Sequence, residues 1–453
     1  MRILLVRPPR IKQAITLSDF MFSEPLGLEM IYGVLKEKHV VEIFDMMIEY
    51  LSLTDKIKSF NPEAIGITSL CIDVNKVVSL CSEAKKVNSS IITVVGGTQT
   101  FLNPEGFYNS DVDHIFEYTN RDNLNKFYDA LSSDKAEIVD GVRSKELDYK
   151  STGVKGRNEY MLPDRRSTEK YRKEYSYFGY RPAAIIEFGT GCEKVCDFCL
   201  RWRIEGAREK LINSEMTRND LAGIKEPTIM FMDNDFLANK EKLEKFIKLI
   251  KELELNKNFI MYGSVKGVIE YKEYLKELKN LGLKALLVGY ETFSDDEMNS
   301  YHKKSNTSDN FEASEILRDL KIDVWASFMA HPDWSKQDFK QFRSYIRKLK
   351  PQITSISPLT PFPNLPMFEV YKDRLIYDID DFEKWSFGQV MIMPFAISLR
   401  AYYWELLKTN LYVNLFVNKN TEMIKKYGIK NIMRITAGSL KAVKKYMVLM
   451  LEA

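Results

Sequence analysis

Three of the five cysteines in this 453-residue sequence lie close together, at Cys192, Cys196 and Cys199. Three thiolates on one short loop can bind one metal centre, and thiolates select zinc or iron–sulfur clusters. A structural zinc ion normally takes four ligands, yet no further Cys or His pair stands at finger spacing. A cubane cluster held by three cysteines leaves one iron open to a substrate. The spacing therefore favours a reactive iron–sulfur site over structural zinc.

Other polar residues follow a series of strand-like runs. Six such runs, separated by helical stretches, predict an incomplete parallel barrel, in which chemistry lies where the strands end. The runs are 184–188, 228–232, 259–262, 285–288, 324–328 and 353–356. Each isolated acid at a strand end could also be a solvated loop carboxylate. The residues at these ends, beside the cysteine loop, are Asp233, Asp235, Ser264, Glu291 and His331.

The first part of the chain has a different strand and helix pattern. Runs at 3–6, 40–44, 64–69, 91–95 and 112–116 alternate with helical segments at 26–37, 53–60, 74–87 and 104–108. This alternation predicts a doubly wound α/β domain, whose ligands bind beyond the carboxyl ends of the strands. Gly96 and Gly97 stand at such an end, where they either admit a bulky ligand or only make a tight turn. A Gly-x-Gly-x-x-Gly fingerprint is absent from the sequence.

The cysteine motif, together with its strand, resembles a known signature. Cys192-x-x-x-Cys196-x-Phe198-Cys199, after the first strand of a six-strand partial barrel, is similar to the motif of the radical S-adenosylmethionine superfamily. The resemblance implies a four-iron four-sulfur cluster whose open iron binds the amino and carboxylate groups of S-adenosylmethionine. In that family, reduction of the cluster cleaves S-adenosylmethionine to methionine and a 5′-deoxyadenosyl radical, which abstracts hydrogen.

The same resemblance implies roles for residues at the other strand ends. Phe198 matches the aromatic residue whose backbone contacts adenine, and Asp233 and Asp235 match the position that meets the methionine amino group. The usual Gly-Gly-Glu is not present there. Glu291 matches a residue that binds the ribose or the methionine end. Ser264 and His331 occupy equivalent strand ends and are further candidates for binding S-adenosylmethionine; no catalytic residue is assigned.

The first domain is similar to the cobalamin-binding domain of the cobalamin-dependent radical S-adenosylmethionine enzymes. The similarity rests on the opening Ile3-Leu4-Leu5-Val6-Arg7-Pro8-Pro9, on Pro25-Leu26-Gly27-Leu28 and on the Gly96-Gly97 pair. No Asp-x-His-x-x-Gly is present, so cobalamin would lack a histidine ligand on its lower face. Cys71 could equally be an inert buried thiol. The implied cobalamin contacts are Ser69, Leu70, Cys71 and Asp73 at the lower face, and Gly96, Gly97 and Thr98 along the nucleotide tail.

These patterns predict four segments. Residues 1–131 form the Rossmann-like cobalamin-binding domain, 132–183 a linker, 184–370 the partial (β/α)6 TIM-like barrel of the radical enzyme, and 371–453 a helical C-terminal cap. The aromatic residues of the cap either shape a substrate pocket or bury apolar barrel surface.

The amino-acid composition indicates which partners and which cellular compartment to expect. The 66 Lys and Arg residues against 63 Asp and Glu give a formal charge of +3, without the basic run expected for binding to nucleic acid. No stretch reaches about 18 consecutive apolar residues, which argues against a transmembrane segment. We expect a cytoplasmic, oxygen-sensitive protein. The family resemblance implies a small-molecule or peptide substrate and an electron donor such as flavodoxin or ferredoxin.

The function expected from these features is cobalamin-dependent radical methylation. The radical would remove hydrogen from an unactivated substrate carbon, and methylcobalamin would supply the methyl group. The alternative is a radical enzyme that catalyses cyclisation, ring contraction or oxidation without methyl transfer. A noncatalytic cobalamin or metal sensor is disfavoured, because an open cluster beside strand-end acids suits chemistry better than storage.

Overall fold

The computed structural model describes residues 1–11, 21–108, 110–133, 137–154, 156–418, 425 and 428–453. The chain divides into two compact units. The first contains the described residues of Met1–Ala14, Glu24–Glu174 and Asp378–Ser386, and the second those of Ile15–Ser23, Tyr175–Tyr377 and Phe387–Ala453. The segment expected as a linker, 132–183, is therefore divided between the units, and the boundary lies between Glu174 and Tyr175.

The first unit is built on a six-stranded sheet. Its strand order is β2-β1-β3-β4-β5-β6; the first five strands are parallel, and β6 is antiparallel to β5. Because β1 lies between β2 and β3, the chain reverses its winding direction beside β1, and the carboxyl ends of β1 and β3 flank that switch point. The predicted doubly wound fold is confirmed. The strands are β1 Arg2–Arg7, β2 Val40–Asp45, β3 Ala64–Thr68, β4 Ile92–Gly96, β5 His114–Phe116 and β6 Val142–Ser144.

Helices cover this sheet and begin at recognisable caps. Ser52 accepts a hydrogen bond from Asp55 N at 3.0 Å, and Asn120 and Asn123 form a reciprocal capping box. Buried side chains of α2 and α3, such as Ile57 and Leu80, pack in one core with the sheet. Predicted segment 104–108 forms a 3₁₀ turn, Pro104–Phe107. The helices are α1 Leu26–Leu35, α2 Leu53–Phe60, α3 Val74–Val87, α4 Thr98–Leu102 and α5 Arg121–Ser132.

The second unit contains the predicted partial barrel. Six parallel strands follow one another in the order β7-β10-β11-β12-β13-β14, and a short antiparallel hairpin, β8 with β9, comes after β7. The predicted fourth strand extends further than expected, so Glu291 is its last residue instead of a loop residue. The strands are β7 Ala183–Ile186, β8 Gly189–Thr190, β9 Lys210–Leu211, β10 Thr228–Phe231, β11 Asn258–Gly263, β12 Leu283–Glu291, β13 Asp323–Ala330 and β14 Ile353–Pro358.

Helices surround the outer face of these strands. Phe246 of α8 and Phe342 of α13 lie fully buried in the core beneath them, and Tyr402 and Tyr446 bring the two last helices into the same core. The helices are α6 Arg201–Glu205, α7 Ser214–Gly223, α8 Lys240–Glu252, α9 Val265–Glu270, α10 Lys272–Asn280, α11 Asp295–Ser300, α12 Thr307–Asp319, α13 Lys336–Leu349, α14 Pro366–Tyr371, α15 Leu399–Phe416 and α16 Ile429–Glu452.

The helical C-terminal region is confirmed as α15 and α16. Leu406 and Val413 of α15 are buried in the barrel core. Within the described ranges, no helix has both the length and the apolar character required to cross a bilayer.

Candidate functional site

Backbone contacts hold the base of the cysteine loop in place. Cys192 N donates to Gly206 O at 3.0 Å, and the β8–β9 hairpin closes the loop from both sides. Gly191 has a φ of +85°, and a Cβ there would lie 2.1 Å from Arg208 O. Glycine alone combines this left-handed backbone with so close an approach. The start of the loop is therefore fixed against the chain that follows it.

Hydrogen bonds inside the loop set the spacing of the cysteines. Cys199 N donates to Cys196 O at 3.1 Å, and Trp202 Nε1 donates to the same carbonyl at 2.9 Å. All three cysteines are free thiols; Cys196 is buried, and Cys192 and Cys199 are half-buried. The loop thus presents three thiols without a competing disulfide.

The surroundings of the thiols favour a bound positive centre. Burial raises the pKa of Cys192 and of Cys199, and it raises the pKa of Cys196 to about 11. Lys194 acts in the opposite direction on Cys192, and Lys303 does so on Cys196. Thiolate ligands need more positive charge than these two lysines supply, and a metal centre provides it.

The cysteines suit a cluster better than a single ion. Among the described residues, no three His, Cys, Asp or Glu side chains form a site for one metal ion. In a four-iron cluster each thiolate binds a different iron, so the sulfurs surround the cluster and do not meet at one atom. Three thiols on one loop therefore fit the predicted cluster.

Lys303 brings two of the predicted residues together. Its Nζ lies 2.5 Å from Oε1 of Glu291, and the two side chains are only 13% and 9% exposed. The same ammonium is 6.0 Å from the ring centroid of Phe198, whose ring packs edgewise on Tyr301. Since Lys303 and Glu291 also act electrostatically on Cys196, this group lies beside the cysteine loop.

Asp235 and Ser264, at the ends of neighbouring strands, meet at Lys194. Ser264 N donates to Asp235 Oδ1 at 3.0 Å, and Lys194 Nζ donates to Asp235 Oδ2 and to Ser264 Oγ. Burial acts to raise the pKa of Asp235, but Lys194 and the bonds from Ser264 outweigh it, so this pKa lies below its ordinary value. Asp235 is therefore ionised at neutral pH and tied to the cysteine loop.

Asp233 has a different set of partners. Its Oδ1 accepts from Phe188 N at 2.8 Å, and its Oδ2 lies 2.7 Å from Lys242 Nζ. Lys242 is fully buried and also lies 2.5 Å from Glu209. The structure thus joins Asp233 to helix α8, whereas Asp235 is joined to the cysteine loop.

His331 directly follows β13 and is neutral. Asp333 N donates to its Nδ1 at 3.1 Å, so the proton belongs on Nε2, which lies 3.0 Å from Tyr371 Oη. Burial lowers the pKa of His331. Its ring lies 6.4 Å from that of Tyr301, the residue that also contacts Phe198.

A cavity of about 260 Å³ adjoins the cysteine loop. Its lining carries both signs of charge, which suits the amino and carboxylate groups of an amino acid better than an apolar ligand. It also contains one of the cysteines, so a molecule bound there would touch the cluster site. The lining includes Cys192, Lys194, Asp235, Asn239 and Lys304.

The sequence reasoning missed the basic residues that organise this site. Lys194 and Lys303 hold Asp235 and Glu291, and Arg201 Nη2 donates to Met232 O at 2.5 Å. Lys194 lies inside the cysteine motif and Arg201 lies two residues after it, so their positions in the sequence could have identified them as site residues. Lys303 had no such signal, because helix α11 separates it from its partner in the sequence.

In the first unit, the loops after β3 and β4 are in contact. Ser69 N donates to Gly96 O at 2.8 Å, and Gln99 N donates to Ser69 O at 3.1 Å. Gly97 has a φ of +111°, and a Cβ there would lie 2.7 Å from Ser69 O. Thr98 begins α4 beside it. The predicted residues Ser69, Gly96, Gly97 and Thr98 thus form one edge.

Leu70 and Cys71 follow Ser69 and differ in exposure. Leu70 is 52% exposed, whereas the Cys71 thiol donates to Trp385 O at 3.2 Å. Burial raises the pKa of Cys71 to about 12, so it is a protonated thiol at neutral pH. Cys71 therefore offers no thiolate to a cobalt ion.

No histidine of the first unit lies at this edge in the described structure. His39 precedes β2 and His114 begins β5, so both lie at the amino ends of strands. The edge carries Asp73 instead, whose pKa burial raises to about 6 although Arg7 acts to lower it. These residues fit a cobalamin whose lower face has no histidine ligand.

Two family models match this chain in the order of its two units. The model described as B12 binding domain matches residues 14–122, and the model described as Radical SAM superfamily matches residues 186–346. The chain belongs to the cobalamin-dependent radical S-adenosylmethionine enzymes. The cofactors of this family are a four-iron four-sulfur cluster, S-adenosylmethionine and cobalamin, so the cofactor prediction is confirmed; the roles of single residues stay predictions.

Individual relatives are similar over most of the chain. The hopanoid C-3 methylase of Methylococcus capsulatus is 25% identical over 403 residues, which cover 86% of this chain and 76% of the methylase. The anaerobic magnesium-protoporphyrin IX monomethyl ester cyclase of Rubrivivax gelatinosus is 22% identical over 421 residues, 87% of this chain and 74% of the cyclase.

A solved structure shares the fold of this radical enzyme. The cobalamin-dependent S-adenosylmethionine radical enzyme OxsB, with aqua-cobalamin and S-adenosylmethionine bound, aligns with a TM-score of 0.71 at 14% identity. The alignment covers 97% of this chain and 72% of OxsB. The predicted fold class, a Rossmann-like domain followed by a partial barrel, is thereby confirmed.

Proposed function

We propose that this enzyme transfers a methyl group to an unactivated carbon of its substrate, with cobalamin as the methyl carrier. The observation that carries the proposal is similarity to a methylase over 86% of the chain, across both cofactor domains. The three-cysteine loop supports it as a site for the cluster, and the edge formed by Ser69, Gly96, Gly97 and Thr98 supports it as a site for cobalamin.

The cysteine loop is assigned to the cluster. The cluster would supply the donor's electron that splits S-adenosylmethionine into methionine and a 5′-deoxyadenosyl radical. Cobalamin, reduced again by the donor, would carry the methyl group of a second S-adenosylmethionine to the substrate carbon. Cys192, Cys196 and Cys199 hold the irons. Lys194 and Lys303 offset part of the thiolate charge, as their electrostatic effect on the thiols indicates.

The strand-end residues are assigned to S-adenosylmethionine. Asp235 and Ser264 line the path to the methionine ammonium, since Asp235 is ionised and lies in the charged cavity. Lys194 can release Asp235 and pair with the methionine carboxylate. Asp233 positions the turn after β10 through Phe188 N and Lys242.

Three further residues complete this binding site. Glu291, held by Lys303, accepts from the ribose hydroxyls or the methionine end. The backbone of Phe198 contacts adenine. Neutral His331 donates from Nε2, the nitrogen that now faces Tyr371.

The carboxyl edge of the first unit is assigned to cobalamin. Leu70 supplies apolar surface to the lower face because its side chain is exposed. Ser69, Cys71 and Asp73 lie in the same loop and would contact the lower face of cobalamin. Gly96, Gly97 and Thr98 lie along the nucleotide tail, where the small side chains allow the backbone to approach it.

Radical chemistry without methyl transfer is the second candidate. Similarity to the Rubrivivax cyclase over 87% of the chain favours it. The identity is lower than that to the methylase, so methyl transfer is the better supported reaction.

The proposed enzyme acts on a small molecule or a peptide in the cytoplasm. It receives electrons from a donor such as flavodoxin or ferredoxin, because the cluster must be reduced before each cleavage. An iron that is open to S-adenosylmethionine is also open to oxygen, so the enzyme requires anaerobic handling.

Anaerobic reconstitution tests the proposal. The full chain is purified with iron, sulfide and hydroxocobalamin, and iron and cobalt are quantified. We expect about four irons and one cobalt per chain, and S-adenosylhomocysteine together with 5′-deoxyadenosine after reduction. Iron without cobalt would overturn the methyl-carrier role, and 5′-deoxyadenosine without S-adenosylhomocysteine would favour the second candidate.

A pair of cysteine variants provides the control. Cys196→Ser should lose most of the iron and all formation of 5′-deoxyadenosine, because a serine hydroxyl is a poor iron ligand. Cys81→Ala changes a buried cysteine in the core of the first unit and should keep the iron. Equal iron content in both variants would contradict the assignment of the loop.

A further inference from the structure

The inner face of the barrel changes from buried to accessible along its strands. Phe231, Val288 and Phe328 point outward and are fully buried against the helices. Since side chains alternate on a strand, their neighbours face inward. Inward residues earlier in the strands, such as Ile260 and Trp325, are buried; those nearer the carboxyl ends are half-buried. We call these half-buried inward residues the barrel cup: Glu187, Met232, Tyr262, Leu287, Ser327 and Met329.

Aromatic residues close the floor of the barrel cup. The rings of Phe178 and Trp325 are 3.8 Å apart, and the hydroxyls of Tyr177 and Tyr262 are 2.7 Å apart. Tyr177 and Phe178 thus lie beside the inward residues Tyr262 and Trp325, whereas the half-buried residues of the cup lie toward the carboxyl ends of the strands, where the cysteine loop begins.

Glu187 is the carboxylate of the barrel cup, and no described residue bonds or ion-pairs with it. Its position on the inner face follows from Ile186 and Phe188, which both belong to the outer core. Burial raises the pKa of Glu187 to about 8, with Glu205 and Asp233 adding to the effect and Arg201 opposing it. At neutral pH the group is therefore largely protonated and can both donate and accept a hydrogen bond.

We infer that Glu187 determines specificity by binding a neutral oxygen of the substrate, a hydroxyl or a carbonyl, inside the barrel cup. Met232, Leu287 and Met329 contact the apolar part of the same molecule. Anionic groups are disfavoured, because Glu205 and Asp233 together act on Glu187 more strongly than Arg201, which opposes them. The substrate class is a neutral, largely apolar molecule with one such oxygen. That the bound molecule is a methylation substrate rests on the proposed function. Its binding in the barrel cup does not.

Equilibrium dialysis of the reconstituted full-length enzyme tests the inference with two probes of equal chain length, 1-octanol and octanoate. We expect 1-octanol to bind about tenfold more tightly than octanoate at pH 7. Glu187→Leu should weaken 1-octanol binding about fivefold, the effect of one lost hydrogen bond between neutral groups. Glu187→Gln keeps both a donor and an acceptor and is as neutral as the protonated carboxyl, so it should retain 1-octanol and leave the preference over octanoate unchanged.

Further variants locate the binding and control for folding. Met329→Trp should fill the barrel cup and reduce 1-octanol binding, whereas Glu312→Gln, on the exposed surface of α12, should leave both affinities unchanged. Equal 1-octanol affinity in the unchanged enzyme and in Glu187→Leu, or tighter binding of octanoate, would overturn the inference. The dialysis requires no turnover, so a missing S-adenosylhomocysteine product would refute the proposed reaction without changing this result.

Discussion

Gly289 makes room for the carboxylate of Glu291: a Cβ at position 289 would lie 2.2 Å from Glu291 Oε1 and 3.1 Å from Lys303 Nζ. Glu291 also has a φ of +62°, a left-handed conformation that is uncommon for a residue with a side chain. The ion pair between Glu291 and Lys303 is thus folded back over the end of β12. Position 289 therefore requires glycine, because a side chain there would collide with the Glu291 carboxylate.

Gly289→Ala should weaken the binding of S-adenosylmethionine about tenfold. The new methyl group displaces Glu291 from Lys303, and the loss of one charge-assisted hydrogen bond to the ligand costs about 1.5 kcal/mol. Calorimetric titration of the anaerobically reconstituted variant measures this. Gly223→Ala is the matched control, because within the described structure no atom lies within 4 Å of a Cβ at that position. The same affinity in both variants would refute the assignment of Glu291.

Lys242→Met should destabilise the second unit by about 3–5 kcal/mol. The side chain of Lys242 is 0% exposed, and its removal leaves Asp233 and Glu209 as buried charges without their cation. Chemical denaturation followed by circular dichroism measures the change.

Lys245→Met provides the comparison for Lys242. Lys245 pairs with Glu241 on the exposed face of the same helix, where such pairs contribute about 0–1 kcal/mol. A similar, small effect of both substitutions would show that the buried lysine does not hold the turn after β10.

The fold could be predicted where local sequence signals agree. Helices α2 and α3 were predicted with the bounds that the structure has, because their apolar spacing and flanking residues mark the same ends. Strand β6 was missed, since three residues are too few for a periodic pattern and its partner β5 lies far back in the chain. Short helix α4 was missed for the same reason.

The candidate site could be predicted only in part. The cysteines and Glu291 were found because each lies in a local motif. Asp233 and Asp235 look equivalent in the sequence, yet Lys242 holds one and Lys194 holds the other. Long-range pairing of this kind leaves no periodic or local signal.

Gly97→Ala should lower the affinity for cobalamin strongly, whereas Cys71→Ala should leave the cobalt spectrum unchanged. A methyl group at Gly97 meets Ser69 O at 2.7 Å on a left-handed backbone, so the loops after β3 and β4 must separate. Cys71 is a protonated thiol that donates to Trp385 O, so its removal changes no ligand of cobalt.

Titration with hydroxocobalamin, followed by visible absorption, measures both variants of this edge. Gly27→Ala is the control for the glycine substitution, since no described residue lies within 4 Å of a Cβ at Gly27. A spectral shift in Cys71→Ala would identify Cys71 as a cobalt ligand and refute the prediction.

Glu29→Gln should make the stability of the protein less dependent on pH. Glu29 lies fully buried beside Arg172, at 3.2 Å, and burial together with Glu24 raises its pKa from 4.5 to about 8. Between these values the folded protein keeps a proton that the unfolded chain has released, so stability falls as the pH rises from about 4.5 to 8. Glutamine has no such proton to lose.

Thermal denaturation between pH 5 and 9 measures this difference. The Tm of the unchanged protein should fall relative to that of Glu29→Gln as the pH rises to about 8, and the two curves should be parallel above that pH. Each kcal/mol of lost stability should lower the Tm by about 2–4 °C. Glu37→Gln is the control, because Glu37 is 55% exposed and pairs with Arg121 on the surface. Parallel Tm curves for Glu29→Gln and the unchanged protein over the whole range would mean that Glu29 is ionised in the fold, stabilised by Arg165 and Arg172.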